Sequence, residues 1–137
     1  QVGLINLEQY FNKINYGNKD LTAGLQNYWL ESSLKISAVE QVQLLKNLYN
    51  YEMDFEKRNI DIVKNVMKLS EAKGAILSGK TGSGVVNGKD KKGWFVGYVE
   101  KDGETHFFAV YIQDQEKAAG STAAKITLTL LEEKNIY

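Results

Sequence analysis

The hydrophobic residues of this 137-residue chain follow one spacing up to about residue 74 and another beyond it. Leu4, Leu7, Tyr10, Phe11 and Ile14 recur every three or four positions, the stripe of an amphipathic helix. The segment NYGNKDLTAG then breaks the pattern with residues that tolerate tight turns. Ile36, Val39, Val42, Leu45 and Leu48 or Tyr49 form a second stripe, and Ser37 followed by Glu40 reads as the capping box that starts it. The pattern predicts a third helix over residues 55–72, with Ile60, Val63 and Met67 inward and Gly74 ending it. From residue 75 short aromatic and β-branched runs take over: AILSGKTG, GWFVGYVEK and THFFAVYIQDQ. They are separated by NGKDKKG and DGE, which is hairpin chemistry, so three consecutive antiparallel strands are expected. STAAKITLTLLEEKNIY fits a final helix with Ser121 as N-cap. The fold class is α+β, with helices packed on an antiparallel sheet.

The length suits one domain. Seventeen basic and seventeen acidic residues cancel, so no global field points to nucleic acid or an anionic membrane. There is no cysteine, which excludes disulfides and thiolate chemistry, and His106 is the only histidine, which argues against a metal site or a Ser-His-Asp triad. No run of residues is long and apolar enough for a membrane span. The opening residues QVGLINLEQYF read as the middle of a domain rather than a biological start.

Lys80 is the residue that fits its surroundings least. A lysine can blunt a sheet edge, yet glycines at 79, 82 and 84 flank it, and glycine in a strand often marks close approach of a ligand or another backbone. A strand offering a cation, the Thr81 hydroxyl and unencumbered N–H groups suits an anionic, amide-like ligand.

Four blocks carry a resemblance. YGN at 16–18, YWLESSLKISAVEQVQLL at 28–45, KTG at 80–82 and GWFVGYVE at 93–100 occur together and in order. The chain resembles the C-terminal half of a class D, oxacillinase-type serine β-lactamase, and the same pattern occurs in the closely similar penicillin-sensing domains of β-lactam sensor-transducers. The resemblance implies a β-lactamase/transpeptidase-like fold, with residues 1–137 as the C-terminal part of one penicillin-binding-type domain. It implies that Lys80 lies near the nucleophile's proton-transfer network and draws the substrate carboxylate, that Thr81 offers that carboxylate its hydroxyl, and that Gly82 keeps bulk away. The backbone N–H of Ser83 would be half of the oxyanion hole. Trp29 would hold a carboxylated lysine through its indole N–H, with Leu30 walling that lysine. Tyr16, Gly17 and Asn18 would be architectural. Without the resemblance, Trp29 reads as core packing and Thr81 as an ordinary strand residue.

Two departures stand beside the matches. The family's nucleophilic serine, in Ser-x-x-Lys, and its Ser-x-Val motif lie upstream of YGN, and only fifteen residues precede Tyr16. Ser32 and Ser70 open lookalike Ser-x-x-Lys patterns and Ser37 a Ser-x-Val pattern, but a four-residue pattern proves little without its context. The nucleophile, and the lysine that carbon dioxide would carbamylate, are therefore expected outside this chain, which alone should be inactive. The second departure is the arginine that many oxacillinases carry at the start of the last helix: AAGSTAAKI has Ala123 near that position, and Lys125 nearby lacks the bidentate fork. Carboxylate binding then falls to Lys80, Thr81 and the Ser83 hydroxyl.

The expected activity is hydrolysis of β-lactam antibiotics through a serine acyl-enzyme. The alternative is an extracellular penicillin sensor that is acylated and deacylates slowly, and a transpeptidase-like penicillin-binding domain or an unrelated binding module also stays open. Partners are β-lactams and the N-terminal part of the same domain, without nucleic acid, metal or any cofactor beyond that carbamate. Both leading readings place the protein outside the cytoplasm.

Overall fold

The computed structural model describes residues 2–30 and 33–137. Its elements are α1 (Leu4–Lys13), α2 (Ala38–Tyr49), α3 (Lys57–Met67), β1 (Lys68–Ala72), β2 (Ala75–Val86), β3 (Lys89–Lys101), β4 (Glu104–Gln113) and α4 (Gly120–Glu133). The strands form one antiparallel sheet in the order β1-β2-β3-β4.

Three two-residue turns build that sheet. Lys73-Gly74, Asn87-Gly88 and Asp102-Gly103 all have positive φ at both positions. That is the type I′ requirement, whose twist matches the flanking strands. The strand pairs closing on these turns are Ala72 with Ala75, Val86 with Lys89, and Lys101 with Glu104. The first turn corrects the expected third helix. α3 stops at Met67, Lys68 turns extended at φ −63°, ψ 122°, and residues 68–72 pair with β2 as a fourth strand. Gly74 is a hairpin residue and not a helix end, so the same glycine signal served a different turn.

α4 and the sheet enclose the main core, with Ala75, Leu77, Phe95 and Val99 meeting Ala123 and Leu131. Each large apolar side chain taken out of water there contributes about 1.5–3 kcal/mol. On the other face Tyr98 is buried against Tyr49 of α2, their rings 5.0 Å apart and edge-on. The Tyr49 hydroxyl donates to Glu100 at 2.7 Å and accepts from Thr105 at 3.1 Å. Burial pushes that phenol above its ordinary pKa and keeps it a donor.

Within the helical stripes, Leu45 and Ile60 are buried as expected, whereas Val39 and Val63 face solvent. No residue of α1 is buried; it docks through Phe11 against Tyr16 and Tyr28, and through Tyr10 against Phe55. α4 begins at Gly120 with Ala119 as N-cap, so Ser121 is an exposed first-turn residue and not the cap. The acceptor comes from the sheet: Ser83 Oγ takes the Gly120 N–H at 2.9 Å.

The Ser37–Glu40 capping box is present in full. Hydrogen bonds from the Ser37 hydroxyl, and then from its backbone N–H, hold the Glu40 carboxyl below its ordinary 4.5. A depressed folded value contributes stability above the unfolded pKa and loses it as pH falls through the folded one. Ser37→Ala should therefore cost about 1 kcal/mol near neutral pH. Urea unfolding at a series of pH values should show the gap to the parent narrowing as the solution is acidified below 4.5.

Candidate functional site

β2 is paired on both sides for only its first third. β1 partners it from Ala75 to Ser78, and from Gly79 to Val86 its only strand partner among the described residues is β3. The outer edge of that stretch therefore presents backbone donors and acceptors with no strand to take them. Register divides its side chains between two faces, because residues opposite one another in a ladder share a face. Lys80, Gly82 and Gly84 lie opposite Val96, Trp94 and Lys92; Thr81 and Ser83 lie opposite Phe95 and Gly93, on the α4 side.

The first set opens onto a cleft of about 760 Å³ that Trp29, Leu30, Lys80, Thr81, Gly82 and Ser83 all line. Its far wall is formed by Trp29, Leu30 and residues 34–38, the latter tied down by Asn18. The Asn18 N–H donates to the Lys35 carbonyl, its side-chain oxygen accepts the Lys35 N–H, and its amide nitrogen donates to the Ser33 carbonyl, each at 2.9 Å. Gly17, at φ +51°, passes so close that a Cβ would lie 2.1 Å from the Lys35 carbonyl oxygen. Tyr16 to Asn18 thus form a knot that positions the cleft wall.

Trp29 and Leu30 are 55% and 59% exposed, so Trp29 is not core packing. Its indole packs edge-on against Tyr28 at 4.8 Å, and its N–H has no hydrogen-bond partner among the described residues. Lys80 Nζ donates to the Thr81 carbonyl at 2.6 Å and forms no ion pair among the described residues. Thr81 and Ser83 reach the cleft from the strand edge, and the Ser83 oxygen already accepts the Gly120 N–H.

Other sequence candidates fall elsewhere. Ser70 sits on β1 and shares a hydrogen bond with the Tyr137 hydroxyl. Ser37 lines the cleft, but its hydroxyl is engaged with Glu40. Ser32 and Gln1 lie outside the described residues. Ala123 is fully buried against the sheet, and Lys125 does not line the cleft. Sequence reasoning missed Lys35, Lys92 and the Trp94–Tyr111 pair, rings 4.8 Å apart, which also line it. The signal was the strand alternation: Lys92 and Trp94 share the Lys80 face once the β2–β3 register is known.

Among the described residues, the charged ones lining the cleft are Lys35, Lys80 and Lys92, with no carboxylate. In a chain of zero net charge, Lys35 and Lys80 bring positive charge to low-dielectric walls, which draws anions. Among the described residues no group of His, Cys, Asp or Glu is placed to hold a metal ion.

Residues 1–132 match the family described as penicillin binding protein transpeptidase domain. The chain is 49% identical over its whole length to the regulatory protein BlaR1 of Bacillus licheniformis, of which it spans 23%. It is 33% identical over 99% of its length to the β-lactamase OXA-10 of Pseudomonas aeruginosa, of which it spans 52%. Among solved structures, the C-terminal domain of the Bacillus licheniformis BlaR penicillin-receptor superposes with a TM-score of 0.92 at 48% identity, covering 100% of this chain and 55% of that one. The chain thus spans under a quarter of the regulatory protein and about half of the β-lactamase.

Two glycines of β2 differ in what they are for. A Cβ on Gly79 would lie 2.8 Å from both the Phe95 ring and the Val96 carbonyl oxygen, so packing demands glycine there. A Cβ on Gly82 would meet only Trp94 Cβ at 3.8 Å, and Gly82 has no positive φ. Nothing in the fold requires glycine at 82. Gly79→Ala should destabilise by about 1–3 kcal/mol through overpacking, while Gly82→Ala should be neutral or stabilising by up to about 1 kcal/mol. Thermal unfolding of the two variants checks this.

Proposed function

Because the chain belongs to the penicillin binding protein transpeptidase domain family, we propose that it supplies the substrate-binding strand of a serine-acylating β-lactam site in a penicillin receptor. The chain is homologous both to BlaR1-type penicillin-sensor domains and to class D β-lactamases, and the family implies binding of β-lactams. One observation carries the acylation reading: the free edge of Lys80–Ser83 opens on a cleft whose charged lining, among the described residues, is all lysine. A β-lactam joins a carboxylate to a strained amide. Laid along that edge as an extra strand, it would pair with the backbone as strand-adding peptides do. Its carboxylate would face Lys80 and Thr81 and its carbonyl the Ser83 N–H. Gly82 leaves the approach clear, which explains a glycine that packing does not need.

The chemistry would be acyl transfer. A serine outside residues 1–137 adds its Oγ to the lactam carbonyl carbon, the ring C–N bond breaks, and the ring nitrogen takes up a proton. The Ser83 N–H would donate a hydrogen bond to the carbonyl oxygen as negative charge develops on it, and a donor fixed there in advance is usually the largest single contribution. Carbon dioxide held as a carbamate on a lysine outside this chain would supply the base. The exposed Trp29 indole N–H and the Leu30 side chain suit that group, one as donor and one as apolar wall.

Identity supports the receptor over the hydrolase, 49% against 33% for the relatives named above. A receptor keeps its acyl group; a β-lactamase releases it. The hydrolase is the second reading: a carbamate that also drove deacylation would be held by the same Trp29 indole N–H, which has no partner among the described residues. Either role places this domain outside the cytoplasm. Among the described residues no helix is long and apolar enough to cross a membrane.

Intact-mass spectrometry of the full-length protein carrying this chain, followed after mixing with penicillin, separates the readings. An adduct lasting hours is the expected result; decay within seconds to minutes makes the protein a hydrolase, and no adduct defeats both. Lys80→Ala should slow adduct formation about ten- to 150-fold, the kinetic equivalent of losing one charge-assisted hydrogen bond. Its unfolding free energy should stay within about 0.5 kcal/mol of the parent, since Lys80 is exposed. Equal losses of rate and stability would defeat the role given to Lys80.

A further inference from the structure

We infer that the Ser83 hydroxyl is a positioning group: it aims the reacting edge of β2 by anchoring it to the N-terminus of α4, and does not itself bind the ligand. The inference rests on the acylation reading above, in which the Ser83 backbone N–H is the oxyanion donor.

The first N–H groups of a helix have no partner inside it. α4 has Ala119 at its N-cap, which offers no side-chain acceptor. Its first N–H, that of Gly120, is taken at 2.9 Å by Ser83 Oγ, 37 positions away in sequence. Two further contacts close the same joint. A Cβ on Gly120 would lie 2.7 Å from the Gly82 carbonyl oxygen and 3.0 Å from the Gly82 nitrogen, so helix and strand meet backbone to backbone. Gly93, which pairs with Ser83, is equally constrained: its Cβ would lie 2.4 Å from the Ala119 carbonyl oxygen and 2.7 Å from that of Ala118.

This joint answers a mechanical problem. Between Gly79 and Gly84 the strand carries three glycines and is held by a ladder on one side only. Glycine leaves a backbone free to shift, yet an oxyanion donor works only when its aim is fixed beforehand. Ser83 places its Oγ on the α4 face and its backbone at the cleft edge. Fastening the first limits the torsions that aim the second. The hydroxyl that the resemblance, lacking its arginine, offered to the substrate carboxylate is thus assigned to the helix.

The test uses the full-length protein with penicillin, measuring the acylation rate at saturation and the concentration for half-saturation. Ser83→Ala should lower the saturating rate about ten- to hundredfold, the range expected for a displacement of under an ångström, and leave half-saturation unchanged. Gly120→Ala, which pries the joint from the helix side by pressing on the Gly82 backbone while leaving every cleft side chain unchanged, should do the same. Ser83→Thr, with a hydroxyl on the same face, should recover most of the rate. Amide exchange of the Gly120 N–H should be slow in the parent and Ser83→Thr and faster in Ser83→Ala. A Ser83→Ala effect on half-saturation alone would make the hydroxyl a ligand group and overturn the inference. Parent-like rates in both alanine variants would overturn it too, while leaving the acylation reading in place. A parent that forms no adduct overturns the acylation reading, and this role with it.

Discussion

A strand that binds through its backbone has to leave one edge uncovered, and the rest of this structure holds such a strand steady from what remains. β2 keeps β1 for only four residues, then depends on β3 along its inner edge and on the start of α4 beneath it. The close glycine contacts at Gly93 and Gly120 follow from that division of labour, because a helix end reaches a sheet backbone only where side chains are absent. The core of Phe95, Val99, Ala123 and Leu131 lies on that same side and sets the distance from helix to sheet. Packing on one face thereby fixes geometry at the edge.

The cleft relies on lysine. The only arginine, Arg58, lies in α3 and does not line it. Lysine is a strongly hydrated point charge on a flexible stem, whereas arginine grips a carboxylate with a planar fork. A site that draws its anion with Lys35 and Lys80 attracts it over a broad angle and leaves its orientation to the backbone edge and the Trp94–Tyr111 pair. Attraction and alignment are thus separate tasks carried by separate groups.

Sequence reading recovered the architecture where local chemistry is unambiguous. Asn87-Gly88 and Asp102-Gly103 announce hairpins, and Ser37 with Glu40 announces a helix start. It missed β1 because a lysine-glycine pair ends helices as readily as it turns hairpins, and only pairing with β2 decides between them. It misplaced the cap of α4 because Ser121 is a good local cap, while the acceptor in use lies on another element and no local rule reports it. Val39 and Val63 were assigned to buried stripes, but a stripe is buried only where something covers it, and both are exposed here. At the cleft, KTG and the Trp29 block were legible as motifs. The positive lining was not, because Lys35 and Lys92 are ordinary lysines until the loop knotted by Asn18 and the β3 register bring them to one place.

The three type I′ turns bear on how the molecule assembles as well as on its final shape. Each brings neighbouring strands together across two residues, so every ladder in the sheet zips from a contact close by in sequence. Loop-closure entropy is then small at each step, and topologies dominated by local contacts form fast. The β2–β3 ladder starts at Asn87-Gly88, and a one-residue bulge beyond Val85 then sets Lys80 and Gly82 opposite Val96 and Trp94, whereas the Ser83–Gly120 joint closes across 37 positions. The sheet should take shape early and its reacting edge stiffen last, making a late folding event the one that renders the strand competent.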